Sequence, residues 1–149
     1  MNIFKATSNN VNCVSELALR LWENNTIKDL EEEFGEILSN SRAAIFICED
    51  NNEAVGFAQF SLRTDYVEGT DNSPVGYLEG IYLKPKCRGK GFAKELILVG
   101  EQWSSEMGCT QIASDCELTN TESLNFHLKS GFSEANRIIC FVKNIEGVK

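Results

Sequence analysis

The stretch VGYLEGIYLKPKCRGKGFAKELI, residues 75–97, decides the fold. Its first part, VGYLEGIYL, is a largely apolar run closed by Pro85, the pattern of a strand. From Gly91 the period changes: Ala93, Leu96, Ile97 and Val99 fall on one side of a helix that reaches about Met107. Between strand and helix lies CRGKGFA. Glycines at 89 and 91 remove two Cβ atoms and open backbone angles closed to other residues, so consecutive amides can point into one concavity. The helix start adds partial positive charge, and Arg88, Lys90 and Lys94 add full charges. Two readings fit this segment alone: a pyrophosphate cradle, or a glycine turn with exposed lysines. Its spacing matches neither the phosphate loop, which needs G-K-S/T after a longer loop, nor the dinucleotide pattern GxGxxG.

The rest of the chain fills in around this unit. MNIFKA reads as a short first strand, and Asn10 as the N-cap of a helix with Val11, Val14, Leu17, Ala18 and Leu21 on one face. Trp22 ends that helix, and ENN breaks it. A second helix is expected over 27–38, with Leu30, Phe34, Ile37 and Leu38 inward and its acids (Asp29, Glu31, Glu32, Glu33, Glu36) forming a solvated face. AAIFICED and EAVGFAQFSLR are two strands joined by a hairpin at DNNE, and TDYVEGTDNSP is an exposed loop. After the central helix, CTQIASDCE returns as a strand, NTESLNFHLKSG as a helix stopped by Gly131, and RIICFVKN as a closing strand. The expectation is an α+β fold with a mixed, mostly antiparallel sheet flanked by helices, in one domain over 1–149.

Composition narrows the function. A formal charge of −8 disfavours nucleic acid and suits a cationic ligand. No segment is long and apolar enough to span a membrane, and the N-terminus lacks the order of a secretory signal, so a cytoplasmic protein is expected. The 6 cysteines are scattered without a close pair, which leaves no zinc signature; they read as small core residues with reduced thiols, and no metal is expected.

Arg88, Gly91 and Ala93 stand at the spacing R/Q-x-x-G-x-G/A, which resembles the acetyl-CoA signature of the GNAT superfamily of N-acetyltransferases. NTESLNFHLKSGF, 120–132, is similar to that family's later NxxAxxxYxxxGF helix. Leu21–Trp22, the block from RTDYVEG to LEGIYLKP, GC followed by ASD at 108–115, and NRIICFVK resemble aminoglycoside 6′-N-acetyltransferases of the compact bacterial resistance type, over nearly the whole chain.

That resemblance implies a GNAT fold, acetyl-CoA as co-substrate, a cationic aminoglycoside as acceptor and a homodimer built through the closing strands. It implies that the backbone of Ile81, Tyr82 and Leu83 aligns the pantetheine arm, that amides of Arg88, Gly89, Lys90, Gly91, Phe92, Ala93 and Lys94 hold the pyrophosphate, and that Asn120 adds a polar contact. An ammonium must lose its proton before it attacks a thioester, so a carboxylate beside the reacting carbon both binds the drug and relays a proton. Glu79 is the implied base and Asp115 a second acidic contact; a salt bridge or a cap is the alternative for each. Trp22 and Tyr66 carry over as walls of the drug site, with a plain core role open for Trp22, and Glu134 and Asn136 border it. Where many GNAT enzymes have a tyrosine that protonates the departing thiolate, this chain has His127, which fits either that acid or a structural imidazole. Acetylation of another amine (a polyamine or a protein N-terminus) and acyl-CoA binding without turnover are the competing readings.

Overall fold

A computed structural model describes residues 1–148. The strands are β1 (Asn2–Lys5), β2 (Ala43–Asp50), β3 (Glu53–Arg63), β4 (Val75–Leu83) and β5 (Ile112–Ser114); the helices are α1 (Val11–Leu21), α2 (Ile27–Leu38), α3 (Phe92–Glu106) and α4 (Thr121–Lys129). The chain divides into two compact units, Met1–Asp115 and Cys116–Lys149.

The first unit holds the sheet, in the order β1-β2-β3-β4-β5. The first three pairings are antiparallel and β4–β5 is parallel. Asn51 and Asn52, at φ 51° and 63°, make the β2–β3 hairpin, the left-handed backbone that a two-residue turn requires and asparagine tolerates. One face of the sheet packs α1 and α2 through Val14, Leu17, Leu30, Phe34, Ile45, Ile47, Phe57 and Tyr82. Burying each large side chain of this set stabilises the fold by about 1.5–3 kcal/mol. On the other face Gly100 of α3 lies on the Phe60 ring, where an added Cβ would come within 2.0 Å of it. The helix can approach that closely because residue 100 carries no side chain.

The α2 acids are on its outer side, and Thr26 caps the helix by accepting from the Asp29 amide (3.2 Å). At α1 the cap differs from the expected one. Asn10 makes no cap bond to the helix; its side chain turns back to accept from the Thr7 amide (2.9 Å) in a capping box on the preceding 3-10 turn.

The second unit contains α4, capped by Asn120, and a tail without regular secondary structure. The closing strand expected at 137–144 is not formed: the described residues after Gly131 have no sheet pairing. Ile138, Ile139, Phe141 and Val142 are 70–93% exposed. The run has strand composition, but a strand exists only through a partner's hydrogen bonds. The strand expected at 109–117 is likewise reduced to Ile112–Ser114.

Candidate active site

The site begins with a register shift. Phe60 pairs with Leu78, but Gln59 pairs with Gly80, so Glu79 is an extra residue on β4. Tyr77 and Glu79 are two residues apart and share a face, and the bulge shifts the alternation from Gly80 onward. Ser61 lies opposite Tyr77 and Arg63 opposite Val75, placing Ser61, Arg63 and Tyr77 on one face of the sheet. Glu79 joins them: its carboxylate accepts from the Ser61 hydroxyl and from the Arg63 guanidinium at 2.8 and 3.2 Å.

From the other side β5 pairs Tyr77 with Ala113 and Leu78 with Ser114, and Asp115 follows directly after the strand. The Tyr77 hydroxyl donates to the Asp115 carboxylate. Arg63 stacks on the Tyr77 ring, 3.4 Å from its centroid. Two acids are thus bound into one network by three residues that the sequence reading did not single out. Burial and then the Asp115 bond push the Tyr77 hydroxyl well above its ordinary pKa, so it stays a neutral donor. The bond to Glu79 raises the Arg63 pKa further, and the guanidinium remains charged.

Trp22 stands on Gly80, where a Cβ would lie 2.7 Å from its ring, and stacks with Phe34 and edge-on with Phe57. It is therefore the rim of the core and the neighbour of the residue after Glu79. Tyr66 lies in the exposed loop, 79% accessible, with its hydroxyl donating to Glu68 (3.1 Å) rather than to the acid network.

Beyond Leu78, β4 keeps its pairing with β3 but has none with β5, so Glu79, Gly80, Ile81, Tyr82 and Leu83 run past the parallel edge. β4 thus extends past the end of β5. The Tyr82 and Leu83 side chains are buried, which leaves the backbone as the available part.

At the glycine loop Gly89 and Gly91 adopt φ 77° and 88°, with nothing within 4 Å of an added Cβ. The first helical bond of α3 runs from the Glu95 amide to the Gly91 carbonyl (3.2 Å). The amides of Phe92, Ala93 and Lys94 therefore have no acceptor in the helix. Arg88 departs from the expectation: its amide donates to Pro85 and its Nε to the Leu83 carbonyl (2.9 Å). Arg88 thus braces the end of β4. Lys84 and Lys86 are paired with Glu53, whose pKa they lower to about 2.

In the second unit, Asn120 accepts from the Ser123 amide as the cap of α4 (3.0 Å). His127 places Nδ1 2.7 Å from the Ser123 carbonyl, and its ring meets Phe126 and Phe132 edge-on. A carbonyl can only accept, so the proton of the neutral ring sits on Nδ1. Donation from Nε2 requires the imidazolium. The Asn136 side chain accepts from the Arg137 amide, and Glu134 pairs with Arg137.

The model of the acetyltransferase (GNAT) family matches residues 12–132. The chain belongs to the GNAT acetyltransferase family. Among its relatives, the aminoglycoside N(6′)-acetyltransferase type 1 of Stenotrophomonas maltophilia is 35% identical over 145 residues, 97% of this chain and 94% of the relative. That of Salmonella typhimurium is 44% identical over 108 residues, 72% of this chain and 74% of the relative. The structure of aminoglycoside N-acetyltransferase AAC(6′)-Iy with CoA superposes at a TM-score of 0.93, at 35% identity, covering 97% of this chain and 95% of that one. The same relative bound to a bisubstrate analogue, CoA-S-monomethyl-acetylneamine, gives 0.92 over 97% of this chain and 98% of that one. In this GNAT chain the fold therefore supplies a β4 that runs past the end of β5, a glycine loop at a helix start and an acid network where the β4–β5 pairing stops.

Ser61, Arg63 and Tyr77 had a signal in the sequence: with Glu79 they sit at i, i+2 positions of adjacent strands. What could not be read was the β3–β4 register that sets Ser61 and Arg63 beside Tyr77 and Glu79.

Proposed function

We propose that the protein transfers the acetyl group of acetyl-CoA to the 6′-amine of aminoglycoside antibiotics, in a direct ternary complex within one catalytic domain over 1–149. The observation that carries this reading is the acid network of Glu79 and Asp115 at the point where β4 leaves β5. The relatives' names supply the acceptor class, and the family model runs from the first compact unit into the second.

Acetyl-CoA supplies the acetyl group as a thioester. The amides of 89–94 fit its pyrophosphate, since Gly89 and Gly91 leave the concavity open. The backbone of Ile81, Tyr82 and Leu83 lines the amide-bearing arm, and Asn120 adds a polar contact. Glu79 accepts the proton that the acceptor's ammonium must lose, and Asp115 binds a second amine of the drug. The amine nitrogen then forms the amide bond as the carbon–sulfur bond breaks, and a protonated His127 returns a proton to the leaving sulfur. Trp22, Tyr66 and Asn136 border the sugar rings.

With acetyl-CoA, the protein should release free thiol when given kanamycin or tobramycin and none with an analogue bearing a 6′-hydroxyl. Equal rates on both, or release on neither, would end the regiospecific reading, and faster turnover of a polyamine would favour another amine. We further propose a cytoplasmic homodimer that covers the apolar tail residues Ile138, Ile139, Phe141 and Val142. Sedimentation should give twice the 16.6 kDa chain mass. A monomer at micromolar concentration would contradict the dimer.

A further inference from the structure

We propose that Arg63 is a positioning residue for the acceptor half of the reaction, fixing Glu79 directly and Asp115 through Tyr77, and setting how much negative charge the incoming amine meets. The inference rests on the acceptor role given above to Glu79.

Two adjacent carboxylates pose a conflict. They attract a polycationic acceptor, but they also stabilise its ammonium, the form that cannot attack. A pair of unpartnered acids would bind the drug well and slow its reaction near neutral pH. The geometry resolves this with one guanidinium. Arg63 holds both oxygens of Glu79, at 2.8 and 3.2 Å, and the planar fork fixes the plane of the carboxylate. Its stacking on Tyr77 sets the ring whose hydroxyl reaches Asp115. The charged and titratable groups facing Glu79 are Arg63 from β3, Tyr77 from its own strand and Asp115 after β5. From α1, packed over Gly80, come Leu21 and Trp22, neither of which titrates. Arg63 is 43% exposed and lies outside the apolar core, so stability gives no reason to place a cation there.

The test is steady-state kinetics of Arg63→Gln and Arg63→Lys with kanamycin across the neutral pH range, with melting temperature and acetyl-CoA KM measured alongside. Arg63→Gln should lower kcat near pH 7 by roughly 10- to 100-fold, the scale of a misplaced catalytic group. The acceptor KM should stay level or fall, because a repelling cation is gone. The acidic limb of kcat should move up by about one pH unit. The sign follows from the charge: removing a cation favours the protonated, unreactive form of the incoming amine, so a higher pH is needed to reach the reactive state. Arg63→Lys keeps the charge and loses the fork, so its acidic limb should stay near that of the wild type while kcat falls. Acetyl-CoA KM and melting temperature should hold in both.

Wild-type kcat and limb in Arg63→Gln would overturn the proposal. So would a raised acceptor KM at unchanged kcat, or a loss shared by acetyl-CoA KM and melting temperature. An unmodified enzyme that releases no thiol with kanamycin overturns the functional reading together with this one. An active enzyme with indifferent Arg63 variants overturns this one alone.

Discussion

Glu79→Gln should lower kcat with kanamycin by roughly 10²- to 10⁴-fold, the range for loss of a general base, and raise the acceptor KM. The amide has the size of the carboxylate but accepts no proton at neutral pH. It also presents an NH₂ to Arg63, a pure donor, so the two bonds at 2.8 and 3.2 Å cannot both survive. The loss should fall on the acceptor side. Acetyl-CoA KM should hold, because the glycine loop and the Ile81–Leu83 backbone make no use of that carboxylate. Asp115→Asn should be milder in kcat and act mainly on KM, because that acid's partner is the Tyr77 hydroxyl. Initial-rate kinetics of thiol release measures all of this, and an unchanged kcat in Glu79→Gln would remove Glu79 from the mechanism.

Gly91→Val should raise the acetyl-CoA KM by roughly 10- to 100-fold, about 1.4 kcal/mol for each factor of ten. At φ 88° a β-branched residue is strained, and the loop relieves the strain by rotating the amides that form the cradle. Space is not the obstacle, since an added Cβ would meet nothing within 4 Å in the protein itself. The acceptor KM should hold, so this variant and Glu79→Gln should separate the two halves of the site. Calorimetric titration with CoA reads the effect without turnover, and wild-type affinity in Gly91→Val would contradict the cradle.

Strands and helices with a clear period were legible in the sequence, because burial against the sheet imposes that period on them. α2 is one such case, with Leu30 and Phe34 fully inward and its acids in solvent. The glycine loop was legible for another reason: a positive φ at 89 and 91 restricts the residue type itself. The tail was misread because apolar, β-branched residues say that a segment can be a strand, not what it pairs with. The charge of Arg88 was legible too, but not that its Nε donates to the Leu83 carbonyl, which depends on how the chain turns after β4. Glu79 and Asp115 were found as acids of the resemblance. Tyr77 shares its face with Glu79 by alternation along one strand, but that Ser61 and Arg63 join them depends on the β3–β4 register, which no local pattern encodes.

The central claim is regiospecific transfer to the 6′-amine, and the most direct measurement is the structure of the product. After turnover of acetyl-CoA with tobramycin, two-dimensional NMR of the purified product should place a single acetyl group on the 6′-nitrogen. An acetyl group on any ring-bound amine, or a mixture of positions, would contradict the account.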